Sequence, residues 1–291
     1  MTLPAVIFNP SKAADPVKAG REIRESLLAH GFADPVWLET TEEEPGTSQC
    51  RQALEDGCEL IFVSGGDGTL RACIEVLAGS DVPLAVLSAG TGNLLARNFD
   101  LPRRVDDAVR VAASGHTRRV DVGVSGSGRF AIMAGMGFDA EMLADAPEQL
   151  KAKVGWPAYV VSAARHLREA RHSFTLTLDD GQPFTVRGRG VLVGNVGRLQ
   201  GGLPVLPDAV PDDGVLDVAV IEAKSLAGWA LLAASVVLRR PSRRLETFQA
   251  RRVVVACDDK LPTELDGEVT GEGCRLEVRV EPRALRLLIP A

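Results

Sequence analysis

Short apolar runs alternate with longer amphipathic stretches through the first 118 residues of the chain. The stretches at 15–30 and 47–55 carry apolar positions at helical spacing, and a further helix is predicted to open near Leu70. Four runs are short and apolar enough to be buried strands: 5–8, 36–38, 60–63 and 84–87. Strands that alternate with helices favour an α/β fold, in which helices cover both faces of a parallel sheet.

The pattern changes near residue 118, where short β-branched segments begin to follow one another directly. Thr175–Leu178 and Leu276–Val280 alternate polar and apolar residues, which is typical of antiparallel strands with one buried face. We therefore predict an α/β domain over 1–118 and an antiparallel β-sandwich domain over 119–282. The apolar tail within 283–291 is a candidate for returning to the first domain.

Longer segments of the β-rich part carry three further predictions. Residues 129–136 are predicted to form one strand, and helical insertions are predicted at 158–168 and 226–238. The apolar residues at 229–238 make up about half of the roughly 20 residues that span a bilayer. We therefore expect a core helix there, or at most a surface that touches a membrane.

Composition and charge narrow the class of protein. The chain has 291 residues, of which 45% are hydrophobic and 25% charged, as in an ordinary globular enzyme. Its net charge of −6 argues against nucleic acid as a partner. Five cysteines without paired spacing indicate reduced thiols and a cytoplasmic protein. The first residues show no signal-peptide pattern, which agrees with that expectation.

The stretch Ser64–Leu70 joins a predicted strand to a predicted helix and reads SGGDGTL. Its glycines let backbone N–H groups approach a ligand at the positive end of a helix, as a phosphate site requires. Asp67 is the unusual element, because a carboxylate repels phosphate unless a metal ion or a transferred proton accompanies it. The loop therefore indicates phosphoryl transfer. The alternative is a tight turn in which Asp67 caps the helix.

Three further polar segments follow predicted strands of the first domain. They are Asn9–Lys12, Thr40–Thr41 and Gly90–Asn93. The carboxyl ends of parallel strands lie at one edge of a sheet, where the ligands of such sheets bind. We therefore expect these segments and the GGDGT loop to converge on one crevice.

Two acidic segments of the β-rich part are candidates for the remaining chemistry. Asp266 and Glu268 flank a glycine, so a turn or bulge would present both carboxylates, and one of them can accept the proton of an attacking alcohol. The alternative is an Asp-Gly hairpin turn followed by an exposed glutamate. Residues 210–215, VPDDGV, offer oxygen ligands for Mg²⁺, or form an acidic turn without a metal.

The order of these motifs resembles the soluble diacylglycerol kinase family, whose catalytic domain is shared with sphingosine and ceramide kinases. The motifs are Asn9–Pro10, Gly65–Thr69, Gly90–Asn93, Pro207–Ala209 with Asp212–Gly214, and Asp266–Glu268. The resemblance covers nearly the whole chain. It implies a lipid kinase with its active site in the cleft between two domains. The first domain would bind ATP, and the second would hold the acceptor, diacylglycerol or a sphingoid-like alcohol.

The resemblance also implies residue roles. Glu268 is the expected proton acceptor, Asp266 lies close by as a metal or orienting group, and Asp67 is catalytic within its loop. The Asp213 side chain and the carbonyls of two flanking residues are expected to hold a structural Mg²⁺; these residues are Val210 and Val215. The residues expected to bind ATP with Mg²⁺ are Asn9, Pro10, Ser11, Lys12, Thr40, Thr41, Gly65, Gly66, Asp67, Gly68, Thr69, Leu70, Gly90, Thr91, Gly92 and Asn93.

Two positions depart from the family pattern. Arg71 and Ala72 stand where members often carry Asn-Glu after the GGDGT loop. Leu94 stands where many bacterial diacylglycerol kinases have an aspartate that belongs to the metal and water network around the loop carboxylate. The second departure bears on that network and on the preference for diacylglycerol, and it leaves the nucleotide loops unchanged.

Two other functions share parts of the pattern. An NAD kinase has the GGDGT loop and the two-domain layout, but the downstream Asn-Glu pair that such enzymes need is not evident. A non-catalytic nucleotide-binding protein on this fold is the other, although Asp67, Asp266 and Glu268 are all present. A lipid kinase also implies transient contact with a membrane surface, for which the arginine-flanked segment 229–244 is a candidate. A homodimer is compatible with the sequence.

Overall fold

The computed structural model of the chain forms two compact units. The first unit consists of Met1–Val122 with Arg283–Ala291, and the second consists of Gly123–Pro282. The residues that the structure describes are 2–90, 92–137, 171–198, 205–222 and 245–291. The helical insertions predicted at 158–168 and 226–238 lie outside these ranges. Within them, no helix combines the length and the apolar character needed to cross a membrane.

The first unit alternates strands and helices, as its apolar pattern predicts. Its elements are β1 (Pro4–Phe8), a 3₁₀ turn (Pro10–Lys12), α1 (Pro16–Ala29), β2 (Val36–Glu39), α2 (Thr47–Glu55), β3 (Leu60–Gly65), α3 (Asp67–Leu77), β4 (Leu84–Ser88), α4 (Leu94–Asn98) and α5 (Val105–Ser114). The strands pair in parallel in the order β4-β3-β1-β2. The end of the last strand, β14 (Glu268–Leu288), adds to β4 in parallel, with Leu287 opposite Leu84.

Helices lie on both faces of this sheet. Val6 and Phe8 of β1 pack in one core with Ile23 of α1 and Val109 of α5. Because successive strand residues point to opposite faces, Ile7 packs on the other side, where α2 and α3 contact each other. The carboxyl ends of the parallel strands therefore share one edge, and the loops that leave this edge carry the predicted site residues.

The second unit is an antiparallel β-sandwich. Its strands are β5 (Thr117–Ser125, which begins in the first unit), β6 (Gly128–Phe130), β7 (Met133–Met136), β8 (His172–Leu178), β9 (Phe184–Gly188), β10 (Gly190–Gly194), β11 (Leu216–Ile221), β12 (Leu245–Ala250), β13 (Arg252–Leu265) and the first part of β14. They follow the order β12-β11-β10-β7-β13-β14, and β8 pairs with both β13 and β9. Alternate residues of these strands form one apolar core, which includes Phe130, Phe174, Val218 and Val255.

One strand prediction in this unit is wrong. The segment expected as a single strand over 129–136 is divided into β6 and β7, with Ala131 and Ile132 between them. The backbone N–H groups of these two residues donate to the carboxylate of Asp266, at 3.1 and 2.9 Å, instead of to a neighbouring strand. The interruption is therefore caused by a side chain distant in sequence, which the local apolar pattern does not contain.

Candidate active site

The loops at the carboxyl edge of the parallel sheet meet in the first unit. Asn9 donates from its side-chain nitrogen to the Thr69 hydroxyl at 3.1 Å, and its backbone N–H donates to the Ser64 carbonyl at 2.8 Å. A Cβ atom on Gly90 would lie 2.8 Å from the Cα atom of Gly66. The loop after β1 thus contacts the GGDGT loop, and the GGDGT loop contacts the loop after β4 at a distance that only glycine allows.

Asp67 links two of these loops. It is the first residue of α3, and its Oδ1 atom accepts the backbone N–H of Leu94 at 2.8 Å. Its Oδ2 atom lies 2.4 Å from the place that a Cβ atom on Gly92 would occupy. The Asp67 carboxylate therefore contacts the backbone of the loop after β4 directly. Leu94 contributes to this contact through its backbone N–H and not through its side chain.

The loop after β4 is closed on itself by Asn93. This residue is buried and adopts the left-handed conformation, with φ of 48°, which asparagine tolerates better than most residues. Its Oδ1 atom accepts the Gly90 N–H at 3.1 Å, and its Nδ2 atom donates to the Gly90 carbonyl. The Asn93 side chain thus ties together Gly90 and Asn93, two described residues of this loop. Thr91, also predicted to bind nucleotide, lies outside the described residues.

The 3₁₀ turn after β1 places a cation over the GGDGT loop. Asn9 caps this turn by accepting the Ser11 N–H at 3.1 Å. The Cε atom of Lys12 lies 3.6 Å from the position that a Cβ atom on Gly66 would take. Pro10 begins the turn, where its missing N–H costs nothing. The Lys12 ammonium group is therefore near the backbone N–H groups that open α3.

The remaining predicted nucleotide residues have different surroundings. The Thr40 hydroxyl is buried and makes no hydrogen bond within the described ranges, so it is a candidate for a ligand contact. The Thr41 hydroxyl instead accepts the Glu44 N–H at 3.1 Å and stabilises a turn. Leu70 is 2% exposed and belongs to the core, so its side chain supports α3 from inside. Gly65 packs against Thr69, whose Cβ atom would lie 2.7 Å from an added Cβ.

A groove of about 400 Å³ lies between α1 and β2. The rings of Phe8 and Trp37 line it, with their centroids 5.0 Å apart. Gly20 leaves room for the indole, because a Cβ atom there would be 3.2 Å from it. Among the described residues, none of those predicted to bind nucleotide lines this groove. The assignment of the nucleotide loops therefore rests on their mutual contacts and not on this cavity.

In the second unit, Asp266 and Gly267 form the two-residue turn of the β13–β14 hairpin. Both have positive φ, 50° and 86°, as a type I′ turn requires, and Leu265 pairs with Glu268 across it. The turn separates the two carboxylates, because Asp266 is 5% exposed whereas Glu268 is exposed. The expectation that one turn presents both of them is therefore not met, and the Asp-Gly hairpin geometry is present.

The Asp266 carboxylate is used to organise the backbone. Besides the N–H groups of Ala131 and Ile132, it accepts that of Met133 at 3.0 Å, and the Asp266 N–H donates to the Met133 carbonyl at 2.8 Å. Asn195, at the end of β10, binds the same segment from its carbonyl side. Its side chain donates to Ala131 at 3.1 Å and its backbone N–H donates to Ile132 at 2.8 Å. These two polar side chains therefore fix the segment 131–133 and, with it, the hairpin that carries Glu268.

Glu264 was not identified from the sequence. It is 1% exposed on β13, and neither carboxyl oxygen has a hydrogen-bond partner in the part of the chain that the structure describes. Burial, reinforced by the nearby Asp266 charge, raises the pKa of Glu264 to about 8. Gly135 makes room for it, because a Cβ atom there would lie 2.6 Å from Oε1. The surrounding sequence, LPTEL over 261–265, contains no motif or apolar run that marks this glutamate as buried.

The acidic turn before β11 has the donors for a hard cation. Asp213 Oδ1 accepts the Val215 N–H at 3.1 Å, which closes the turn at Gly214. Burial raises the pKa of Asp217, a hydrogen bond from Gln249 opposes this, and the charges of nearby acids, Asp213 among them, add to it. One Asp217 oxygen is buried without a partner among the described residues. The donors therefore fit Mg²⁺, which prefers carboxylate and carbonyl oxygen.

Comparison with known proteins identifies the family to which the chain belongs. Residues 4–125 match the family model of the diacylglycerol kinase catalytic domain, and residues 131–289 match that of the YegS C-terminal NAD kinase beta sandwich-like domain. A protein from Pseudomonas aeruginosa named "Probable lipid kinase YegS-like" is 31% identical over 288 residues, which cover 93% of this chain and 90% of that protein. The chain belongs to the diacylglycerol kinase and YegS-like lipid kinase family.

Other relatives of this lipid kinase family agree in length and fold. A diacylglycerol kinase from Mycobacterium tuberculosis is 28% identical over 274 residues, covering 90% of this chain and 87% of that protein. The crystal structure of a diacylglycerol kinase from Bacillus anthracis has a TM-score of 0.77 at 21% identity and covers 99% of this chain and 97% of that one. An NAD kinase from Archaeoglobus fulgidus shares the fold at a TM-score of 0.54 and 12% identity, covering 98% and 93% of the chains. The predicted family and the fold class, an α/β domain followed by a β-sandwich domain, are confirmed.

Proposed function

We propose that the chain is an ATP-dependent lipid kinase that transfers the γ-phosphoryl group to the hydroxyl of a lipid alcohol, diacylglycerol or a sphingoid-like acceptor. In this reaction the acceptor oxygen forms a new bond to the γ-phosphorus, and the bond from that phosphorus to the bridging oxygen of ATP breaks. ADP leaves with the bridging oxygen, and the hydroxyl proton passes to a base. The observation that carries the proposal is the contact of Asp67 with the loop after β4, at the start of α3. Family membership supports the lipid as the class of acceptor.

The first unit supplies the nucleotide side of the proposal. Backbone N–H groups at the start of α3 and along the loop after β4 are suited to the phosphates, because a helix N-terminus favours negative charge. Lys12 adds a cation beside Gly66, and the buried Thr40 hydroxyl is the proposed contact to the rest of the nucleotide. Bound Mg²⁺ would neutralise phosphate charge, and Asp67 is the proposed carboxylate beside it.

The second unit supplies the proposed proton acceptor. Glu268 is exposed at the end of the hairpin turn, so a substrate hydroxyl can reach its carboxylate. Asp266 is a positioning residue in this proposal, since its carboxylate binds three backbone N–H groups and thereby fixes the turn. A structural Mg²⁺ held by the Asp213 carboxylate with the carbonyls of Val210 and Val215 would brace the same unit.

The acceptor also implies where the enzyme works. A lipid alcohol resides in a bilayer, so we propose transient contact with a membrane surface. The segment at 229–244 that the sequence offers for this contact lies outside the described residues. The proposal predicts that transfer to a dispersed lipid rises when vesicles or detergent micelles are supplied.

The test is a transfer assay with ATP labelled at the γ-phosphate, run against diacylglycerol, monoacylglycerol, a sphingoid base, ceramide and phosphatidylglycerol in mixed micelles, with NAD as a further acceptor. Labelled lipid that requires both Mg²⁺ and ATP is the expected product. Efficient labelling of NAD with no labelled lipid would overturn the proposal in favour of NAD kinase activity. Nucleotide binding without transfer to any acceptor would point to a non-catalytic protein.

A further inference from the structure

Three side chains of metal-binding type lie together in the second unit, and the proposed phosphoryl transfer uses none of them. They are His172 on β8 and Cys257 and Asp259 on β13. One ligand atom from each, an imidazole nitrogen, the thiol sulfur and a carboxylate oxygen, lies within 4.8 Å of the other two. A nitrogen, a sulfur and an oxygen donor at this spacing suit a borderline-soft divalent cation.

The strand register explains why these side chains meet. Phe174 lies opposite Cys257 in the antiparallel pair of β8 and β13. Two positions further along from this pair, β8 carries His172 and β13 carries Asp259. The Nδ1 atom of His172 lies 2.7 Å from the Oδ2 atom of Asp259. Cys257 and Asp259 are two residues apart on β13, and their ligand atoms lie within 4.8 Å of each other and of the His172 ring nitrogen. The backbone therefore holds the three donors together without help from a loop.

The cluster coincides with an irregularity of β13. The register between β13 and β14 shifts between Ala256, opposite Arg275, and Leu261, opposite Gly273. Cys274 is therefore the single β14 residue that faces the extra length of β13, and its thiol donates to the Asp258 carbonyl at 3.9 Å. Such irregularities re-aim side chains and weaken the ladder locally, so a cross-link at this point would add stability.

The exposure of the donors suits entry of an ion from solvent. The Cys257 residue is 7% exposed and forms the base of the cluster. The His172 side chain is 17% exposed, and that of Asp259 is 66% exposed. The cluster is therefore open to solvent on the side of Asp259, with the Cys257 sulfur on its buried side.

We propose that His172, Cys257 and Asp259 bind one Zn²⁺ ion, with a fourth position open to water. Zn²⁺ takes nitrogen, thiolate and carboxylate donors in tetrahedral geometry, with bonds of about 2.0–2.3 Å, which places ligand atoms roughly 3.5 Å apart. The observed cluster is within small side-chain movements of that arrangement. The ion cross-links β8 to β13 beside the irregularity, and its role is to stabilise the second unit.

The test uses the full chain, reduced with a phosphine, stripped with a chelator and returned to excess Mg²⁺ so that all-oxygen sites are filled. Titration with Co²⁺ should give one equivalent of binding with a thiolate-to-metal charge-transfer band, and Zn²⁺ should displace it. Zn²⁺ at about 100 times its Kd should raise the Tm by on the order of 5 °C. Absence of the band at one equivalent, in folded protein, would overturn the proposal.

Variants test the ligand set. Cys257→Ser should lose the charge-transfer band. Asp259→Asn changes a mostly exposed side chain, so it should fold normally and weaken Co²⁺ binding by at least about tenfold. Cys274→Ser is the matched control and should keep both the band and the stoichiometry. A band that survives in Cys257→Ser and disappears in Cys274→Ser would contradict the assignment, as would unchanged affinity in Asp259→Asn.

Discussion

Two regions of the molecule use an aspartate next to glycine in the same physical way and for different purposes. In the first unit, Asp67 accepts a backbone N–H of the loop after β4. In the second unit, Asp266 accepts three backbone N–H groups of the segment 131–133. Asp67 is only partly buried and opens a helix, whereas Asp266 is 5% exposed inside a hairpin turn.

The difference teaches which carboxylate remains available for chemistry. Asp67 stands at the positive end of α3 among glycines, where the proposed function places the phosphate groups. Asp266 is enclosed and committed to the backbone, and the neighbouring Glu268 is the exposed acid of that hairpin. The short motif around each aspartate is similar in composition, so the division of roles comes from the tertiary partners of the side chains.

The largest effect is expected from removing the first of these carboxylates. Asp67→Ala should lower phosphoryl transfer by roughly 10²–10³-fold or more, because it releases the loop after β4 and removes the charge beside the phosphates. Circular dichroism and melting should stay close to wild type. Asp56→Ala, at an exposed helix C-terminus, is the control. Wild-type turnover in folded Asp67→Ala would contradict the claim that the Asp67 carboxylate is needed for phosphoryl transfer.

Removal of the second carboxylate should act mainly on stability. Asp266→Asn can still accept from Ile132 and Met133, but its NH₂ group would face the Ala131 N–H, and a buried donor would lose its partner. We expect the free energy of unfolding to fall by about 1–3 kcal/mol in urea denaturation. Asp180→Asn, on an exposed turn, should be neutral. A variant as stable as wild type would show that the three hydrogen bonds do not fix the hairpin.

The buried Glu264 sharpens the same comparison through pH. Its pKa is raised to about 8, so between the ordinary glutamate value and pH 8 the folded chain holds a proton that the unfolded chain has released. The free energy of unfolding should therefore fall as pH rises through this window, by up to about 1.4 kcal/mol per pH unit. Urea denaturation at pH 5, 6.5 and 8 measures the slope.

The matched variants isolate this contribution. Glu264→Gln carries no titrating proton, so its stability relative to wild type should increase steadily from pH 5 to pH 8. Glu272→Gln, which changes an exposed glutamate of β14, should follow the wild-type curve. A constant difference between Glu264→Gln and wild type across this range would show that Glu264 is ionised in the folded protein.

The smallest effect concerns the acidic turn before β11. If Asp213 helps to hold Mg²⁺, the ion should raise the wild-type Tm by a few degrees, on the order of 2–4 °C. Asp213→Asn keeps an oxygen for the Val215 N–H but loses the charge, so Mg²⁺ should raise its Tm less. Asp212→Asn, in the same turn, is the control. The same Mg²⁺-dependent shift of the Tm in all three proteins would show that Asp213 does not bind Mg²⁺ and that the segment is a turn without a metal.

Local sequence patterns predicted the first unit well because its elements are short and its apolar runs are distinct. Strand β3, Leu60–Gly65, contains the apolar run 60–63, and helix α2 has the predicted bounds, Thr47–Glu55. The mutual contacts of the loops after β1, β3 and β4 follow from the parallel sheet, whose carboxyl ends share an edge. The composition and spacing of residues were therefore sufficient to predict the elements of the first unit and the contacts between its loops.

The second unit depended more on contacts between residues distant in sequence. The division of 129–136 into two strands is caused by Asp266, about 130 residues later. The role of Asn195 could not be predicted from Gly194-Asn195 alone, and Glu264 belongs to no motif in its mixed segment LPTEL, 261–265. The inward direction of Asp266 is likewise set by the backbone N–H groups it meets and not by the Asp-Gly-Glu sequence.

The measurement that tests the central claim most directly separates nucleotide binding from transfer in Glu268→Gln. Calorimetric titration with ATP and Mg²⁺ should give a Kd within about twofold of wild type, because the proposed nucleotide contacts lie in the first unit. Transfer of labelled phosphate to the preferred lipid should fall by roughly 10²-fold or more, since the proton acceptor is lost. Wild-type transfer by Glu268→Gln would contradict the account. A much weaker affinity for ATP combined with a normal turnover rate at saturating ATP would also contradict it.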